Sequence, residues 1–326
     1  MKSIFKTVLS ITAISLAAIG SAHAAWPDKP VTIVVPFAAG GPTDIVARSV
    51  ADIMSKNIPN SRFLVENVAG AGGTIGANKV SKATNDGYTI LIHHIGMSTA
   101  PALYKKMTFD PLKDFEYVGL ITDVPMTLLT KKALPPNNLK ELIAYVKVNK
   151  DKVNVANAGI GSASHLCGLL FMSAIETDMT TVPYKGTAPA MTDLRGGQVD
   201  ILCDQTTNTT AVIKSGEVKA LAVTSPQRLS LLKDLPTMAE QGLPTASLAV
   251  WHGMYAPKGT PKEITKMLQD GLATALKNPD LIKRFAELGT EPVATDRVTP
   301  AALEKHLAAE IAKWTPIIKK ANIYAD

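Results

Sequence analysis

Short β-branched apolar runs alternate along this chain with segments whose apolar residues recur every three to four positions. Val31–Val35, Phe63–Val68, Tyr88–His93, Phe115–Thr122, Met126–Thr130, Val153–Asn157, Thr180–Pro183, Val199–Cys203, Lys219–Val223 and Leu248–Ala256 read as strands. Between them, Ile45–Ser55, Ala77–Ala83, Asn138–Asn149, the segment starting at Ser162, Ala188–Arg195 and the stretch ending at Leu276 read as helices, followed by Pro279–Leu288 and Pro300–Lys320. The alternation predicts an α/β fold on a mostly parallel, doubly wound sheet. Asp123-Val124-Pro125 is expected to separate two strands, and His93 to Thr99 is expected to form a loop. With no low-complexity linker, the order of elements predicts a discontinuous first domain, 25–123 plus 247–326, with a second domain, 124–246, inserted into it.

Two turns stand out. Phe37-Ala38-Ala39-Gly40-Gly41-Pro42-Thr43-Asp44 joins a buried strand to a helix start, with Pro42 suited to the first helical turn, Thr43 able to cap it and Asp44 able to support it electrostatically. Ala158-Gly159-Ile160-Gly161-Ser162-Ala163-Ser164-His165 repeats the pattern, with Ser162 as the cap. Each leaves amide N–H groups at a helix end, an arrangement that attracts anions. One such turn per domain suggests a single carboxylate held in the cleft between them, its lone pairs satisfied by backbone donors without a buried Arg. Gly70-Ala71-Gly72-Gly73-Thr74-Ile75-Gly76 is one residue too long for a dinucleotide fingerprint and lacks its acidic partner, so it reads as packing glycines, and no cofactor is expected.

The first 24 residues, with Lys2 and Lys6, the apolar run Val8–Ile19 and Ala22-His23-Ala24, read as a secretory signal peptide cleaved near Ala24/Ala25. Without Lys2 and Lys6 the formal charge falls from +6 to +4, and the basic residues are scattered among acids, which argues against nucleic-acid binding. Cys167 and Cys203 form a disulfide in an exported chain, or are two small core residues. Adjacent His93 and His94 on an extended chain point to opposite sides, so no shared metal is expected, although one of them facing a ligand fits. Ser162 lies outside a G-x-S-x-G elbow, and a secreted hydrolase using Ser162 or the pair Asp44 and Asp204 is the competing reading.

Taken together, Trp26-Pro27-Asp28-Lys29-Pro30, Pro36–Asp44, Gly70-Ala71-Gly72-Gly73, Asp86-Gly87-Tyr88, Gly161–Leu166, Pro183-Tyr184-Lys185-Gly186 and Pro257-Lys258-Gly259-Thr260-Pro261 resemble the Bug proteins, the TctC-like periplasmic solute-binding receptors of tripartite tricarboxylate transporters. The resemblance covers essentially all of the chain after the leader. It implies a two-lobed, type II-like periplasmic binding protein, with lobes joined by hinge strands, that closes on a small mono- or dicarboxylate (aliphatic, aromatic or an acidic amino acid) and presents it to membrane permease subunits. A monomer without catalytic activity is implied, and sensory members of the family leave signalling through a two-component system as an alternative. Carried over by position, the resemblance points to Phe37, Gly40, Gly41 and Thr43 on one wall and Gly161, Ser162 and His165 on the other. Asp44, Ser98, Tyr184 and Asp204 complete the expected site, with His93, Met97, Gly159 and Ile160 as further candidates. His252, Cys167, Cys203 and the pair His93-His94 depart from the family pattern, near strand ends where the ligand's distal end would lie.

Overall fold

The computed structural model describes residues 26–320 and 324–325, so the expected leader over residues 1–24 lies outside the described residues. Val31–Val35 forms β1, flanked by β2 (Phe63–Asn67) and β3 (Thr89–His94), both parallel to it. In β1 only Thr32 escapes full burial, because helices cover both faces of a parallel sheet and an apolar run satisfies both. Between these strands lie α1 (Pro42–Asn57) and α2 (Thr74–Ser81), and α3 (Gly96–Leu103) follows β3. Helix α1 buries Val46, Val50, Ile53 and Met54, the residues whose spacing predicts it.

The chain then enters β4 (Phe115–Lys131), a strand of 17 residues. Beyond it come α4 (Leu139–Asn149), β5 (Asn154–Asn157), α5 (Ala163–Ala174), β6 (Thr180–Pro183), α6 (Thr187–Arg195), β7 (Ile201–Gln205), α7 (Thr206–Lys214) and β8 (Val218–Val223). Strand β9 (Ala249–Pro257) returns to the first half, and α8 (Lys262–Leu276), α9 (Pro279–Glu287) and α10 (Pro300–Lys320) close the described chain. The strand order is β2-β1-β3-β9-β4-β7-β5-β6, with β8 also paired to β4. The β1–β2, β1–β3, β5–β6 and β5–β7 pairs are parallel, whereas β9 and β4 run antiparallel to every neighbour. The sheet is therefore mixed, with the parallel strands grouped in two lobes and the antiparallel pair between them.

Two expectations about these elements are corrected. Residues 123–125 do not separate two strands: β4 is continuous, pairing with β9 as far as Pro125↔Ala249 and with β7 and β8 over Met126 to Lys131. Proline is tolerated there because it stands where the strand leaves one set of partners for the next. The expected loop over residues 93–99 is helical from Gly96 onward, with the Gly96 amide donating to His94 Nδ1 at 3.0 Å.

The sulfurs of Cys167 on α5 and Cys203 on β7 are bonded, with Cα atoms 6.0 Å apart and both residues buried. This decides between the two readings of the cysteines. The largest apolar cluster runs through both lobes, from Val34 and Leu91 by way of Leu120 and Leu128 to Phe171 and Cys203. Helix α10 packs against α3 and β4.

Candidate functional site

The first turn is built around Gly40, whose φ of 77° falls in the region that favours glycine. Its amide donates to Asp44 Oδ2 at 2.9 Å, and that carboxylate also accepts from Arg48 Nε at 2.9 Å and, through Oδ1, from Asn67 Nδ2 at 2.9 Å. Burial pushes the Asp44 pKa up, but the hydrogen bonds from Arg48, Gly40 and Asn67 outweigh it and hold the group below its ordinary value. Asp44 thus ties the turn together from behind. Pro42 takes the first helical position, as expected, but the cap is Gly41 with no side-chain bond. Thr43, expected as the cap, is the second helical residue, and its Oγ1 stands 3.3 Å from His252 Nε2. No acceptor among the described residues meets the Thr43 and Asp44 amides.

In the second turn Ser162 is the cap, its Oγ accepting from the His165 amide at 3.2 Å. His165 Nδ1 accepts from the Gly161 amide at 3.2 Å, which leaves any ring proton of the neutral imidazole on Nε2. Burial lowers the His165 pKa to about 4, so the ring is neutral near pH 7. The Ser162 hydroxyl and the His165 ring are each bonded to backbone and not to one another, an arrangement without the nucleophile–base contact of a serine hydrolase. The Ala163 and Ser164 amides, like those of the first turn, have no acceptor among the described residues.

Both helix ends open on one buried cavity of about 10 Å³, enough for roughly one water. Helix α1 contributes Pro42 and Thr43 to its wall, and α5 contributes Ala163 and Ser164. Two more helix starts join them: Thr187 at the first position of α6 and Gln205 at the cap of α7. Thr187 Oγ1 and Gln205 Oε1 are buried without a hydrogen-bond partner, as are Thr207 Oγ1 in the first turn of α7 and His252 Nδ1 beside Thr43. Such orphaned atoms carry a desolvation cost that a bound polar group would relieve.

Phe37 and His94 line the same cavity, their rings stacked at 4.5 Å. His93 lies 5.0 Å from His94, and His252 5.9 Å from it. The rings of His93 and His94 are thus not on opposite sides; β3 ends at His94, where the backbone turns and the His94 amide donates to His93 Nδ1 at 2.7 Å. Burial drives all three pKa values down, to about 3 for His93, to about 4 for His252 and well below the ordinary value for His94. Among the described residues no group of His, Cys, Asp and Glu converges to hold a metal. Asp204, fully buried, completes the cavity. Its Oδ1 accepts from the Gln205 amide at 2.8 Å and its Oδ2 from Asn208 Nδ2 at 2.6 Å. Burial raises its pKa to about 6 against those two hydrogen bonds and the influence of the neighbouring Thr187 hydroxyl, which stands beside the carboxyl without hydrogen-bond geometry.

The structure therefore brings together Phe37, Thr43, His94 and Asp204, with Gly40, Gly41, Asp44, Gly161, Ser162 and His165 shaping the two turns behind the cavity wall. Gly159, Ile160 and Tyr184 line a separate open depression of about 550 Å³, together with Gly72, Tyr104 and Lys185. Tyr184 Oη donates to Asp193 Oδ2 at 2.6 Å. Met97 is part of the large apolar cluster, and Ser98 Oγ donates to the Ile95 carbonyl at 2.7 Å; neither lines the cavity. Sequence reasoning missed Thr187 and Gln205 as wall residues. The sequence carries only a trace of them: Gly186 precedes Thr187, and Asp204-Gln205 follows the apolar run Val199–Cys203.

The two sides meet directly around the cavity. The Ala38 amide donates to the Lys185 carbonyl at 3.0 Å, Thr99 Oγ1 to the Gly161 carbonyl at 2.9 Å, and Tyr104 Oη to the Ile160 carbonyl at 3.0 Å. At Gly72 a Cβ would stand 2.0 Å from the Ile160 carbonyl oxygen. Close approach across the cleft is what this glycine permits.

Comparison with known proteins agrees with this architecture. A family model described as "Tripartite tricarboxylate transporter family receptor" matches residues 46–323. The periplasmic binding protein BugD is 51% identical, with a TM-score of 0.89 over 92% of this chain and 99% of its own. MatC from Rhodopseudomonas palustris, solved with bound malate, is 39% identical with a TM-score of 0.87 over 90% of this chain and 100% of its own. Rpa4515 of the same organism, solved with adipate, is 36% identical with a TM-score of 0.86 over 92% and 99%.

Proposed function

This chain belongs to the tripartite tricarboxylate transporter receptor family, and from that premise we propose that it captures a small mono- or dicarboxylate between its lobes and delivers it to a tripartite-type membrane permease. The observation that carries the reading is the meeting of the α1 and α5 N-termini, with their unpartnered amides, on one cavity whose wall also holds the orphaned Thr187 Oγ1 and Gln205 Oε1. Helix N-termini favour negative charge, and a carboxylate offers about four lone-pair sites to such donors. Malate and adipate in two relatives are ligands of this kind.

A cavity of about 10 Å³ is far smaller than any such ligand, so capture requires the lobes to part and to close again around it. The lobes that move are 25–123 plus 247–326 and 124–246, with β4 and β9 as the hinge. The protein acts in the periplasm after loss of its leader near Ala24/Ala25, as a monomeric receptor and not as a catalyst. Among the described residues no helix is long and apolar enough to cross a membrane. The test is a thermal-shift screen of ligand-free protein against aliphatic and aromatic carboxylates and acidic amino acids. A ligand at a hundredfold excess over its dissociation constant stabilises the fold by about 2.7 kcal/mol, a clear rise in melting temperature. Silence across the whole screen overturns the reading.

A further inference from the structure

The cavity built to receive an anion already holds a carboxyl group of its own. Asp204 lies in the same wall as the ends of α1 and α5, it is fully buried, and among the described residues no Lys or Arg lines the cavity. A ligand carboxylate drawn to those helix ends therefore shares one small, water-poor space with Asp204, where two like charges cannot both be ionised without strong repulsion. The charges along the packed elements offer no relief. Asp44 on α1 is engaged with Arg48, Asp193 on α6 with Tyr184, and β4 places Thr127 opposite Asp204. His94 of β3 and His165 of α5 are buried and neutral, as are His93 and His252 behind His94. Helix α7 presents Asn208 as a neutral donor.

We propose that Asp204 carries a proton whenever the cavity holds a carboxylate, so that capture takes up one proton from solvent and the Asp204 hydroxyl becomes a donor to the ligand. This rests on the receptor reading above and assigns Asp204 as the residue that sets which ligand charge the site accepts. The Gln205 amide and Asn208 Nδ2 occupy one lone pair on each oxygen of Asp204 and the neighbouring Thr187 hydroxyl takes at most a third, which of about four leaves room for a proton directed into the cavity. Burial has already moved the group to about 6 before any ligand arrives, so the additional anion needs to raise it only modestly to hold the proton near neutral pH.

The experiment is titration calorimetry with malate between pH 6.5 and 8, a window in which the four buried histidines stay neutral, repeated in phosphate and in Tris. The expected result is an affinity that weakens as pH rises through this window, by up to about tenfold per pH unit, with a buffer-dependent heat that reports net proton uptake of up to about one per ligand. Asp204→Asn, folded as judged by its circular dichroism, should bind malate with an affinity that no longer varies over this window. Malate bound by the unaltered protein with pH-independent affinity and no buffer-dependent heat overturns the inference and leaves the receptor reading standing. Failure of malate and of every carboxylate in the screen to bind at either pH overturns both. The buffer comparison needs no variant, so a misfolded Asp204→Asn would not remove the test.

Discussion

Three donors meet the carboxylate of Asp44, and one of them is the amide of the glycine that makes the turn possible. Replacing Asp44 by Ala leaves Gly40 N–H and Asn67 Nδ2 without this acceptor, at a cost of about 1–3 kcal/mol. Urea unfolding should show this loss, and carboxylate affinity should fall with it because the turn is no longer held. Since the folded pKa of Asp44 is depressed, its contribution is present above its unfolded value of 3.8 and is lost as pH falls through the folded value. The buried histidines act in the same direction but at higher pH. His93, His94, His165 and His252 all lie below 6.5 in the folded state, so each stabilises fully above 6.5 and loses about 1.4 kcal/mol per pH unit as pH falls toward its folded value. Asp204 opposes them between 3.8 and about 6, because its folded form holds the proton more tightly. Unfolding free energy should therefore drop steeply from pH 6.5 to pH 5. His252→Gln should make that slope shallower by one proton.

At the scale of elements, the disulfide joins the helix whose N-terminus opens on the cavity to the strand that carries Asp204. Closing a loop across 36 positions contributes about 4 kcal/mol in the chain-entropy view. Cys167→Ser with Cys203→Ser should lower the unfolding free energy by that order, and the double variant should also bind carboxylate more weakly, since α5 is freed relative to β7. The strands and most helices were legible in the sequence because burial on both sheet faces leaves unbroken apolar runs, and because Val46, Val50, Ile53 and Met54 mark one face of α1. The two turns that open on the cavity were legible from Gly40, Gly41 and Pro42 and from Gly161 and Ser162. Helix α7 was not. Its Thr206-Thr207-Asn208-Thr209-Thr210 run is poor helix-forming sequence, overridden by tertiary bonds such as Thr206 Oγ1 to the Gly289 carbonyl at 3.0 Å and Thr127 Oγ1 to Thr209 Oγ1 at 2.9 Å. With α7 unseen, Gln205 had no helix to cap and went unnoticed. Thr187 was hidden for a different reason: it reaches the cavity only because Gly186, with a Cβ position 2.8 Å from the Ala38 amide, lets the two sides meet.

Across the whole molecule, the closed arrangement is supported by bonds that involve no ligand. Thr99 Oγ1 to Gly161 and Tyr104 Oη to Ile160 span the cleft, and each contributes about 0.5–1.5 kcal/mol. Thr99→Val combined with Tyr104→Phe should shift the protein toward the parted form, seen as a larger radius of gyration in small-angle scattering. A loss of about 2 kcal/mol from closure would weaken every ligand by a common factor of up to about thirtyfold. The Tyr104 bond also stands apart from the cavity. Tyr104 and Ile160 line the open depression and not the cavity, whereas the crossing of β4 and β9 near Pro125 and Ala249 adjoins the cavity, with Met126 paired to Gln205 and His252 beside Thr43. Substitutions at Tyr104 would multiply all dissociation constants by a common factor and leave their ranking unchanged. Sensitivity and selectivity are thus encoded in different parts of the chain, so a lineage or an engineer can retune how scarce a nutrient the receptor detects without altering which one it prefers.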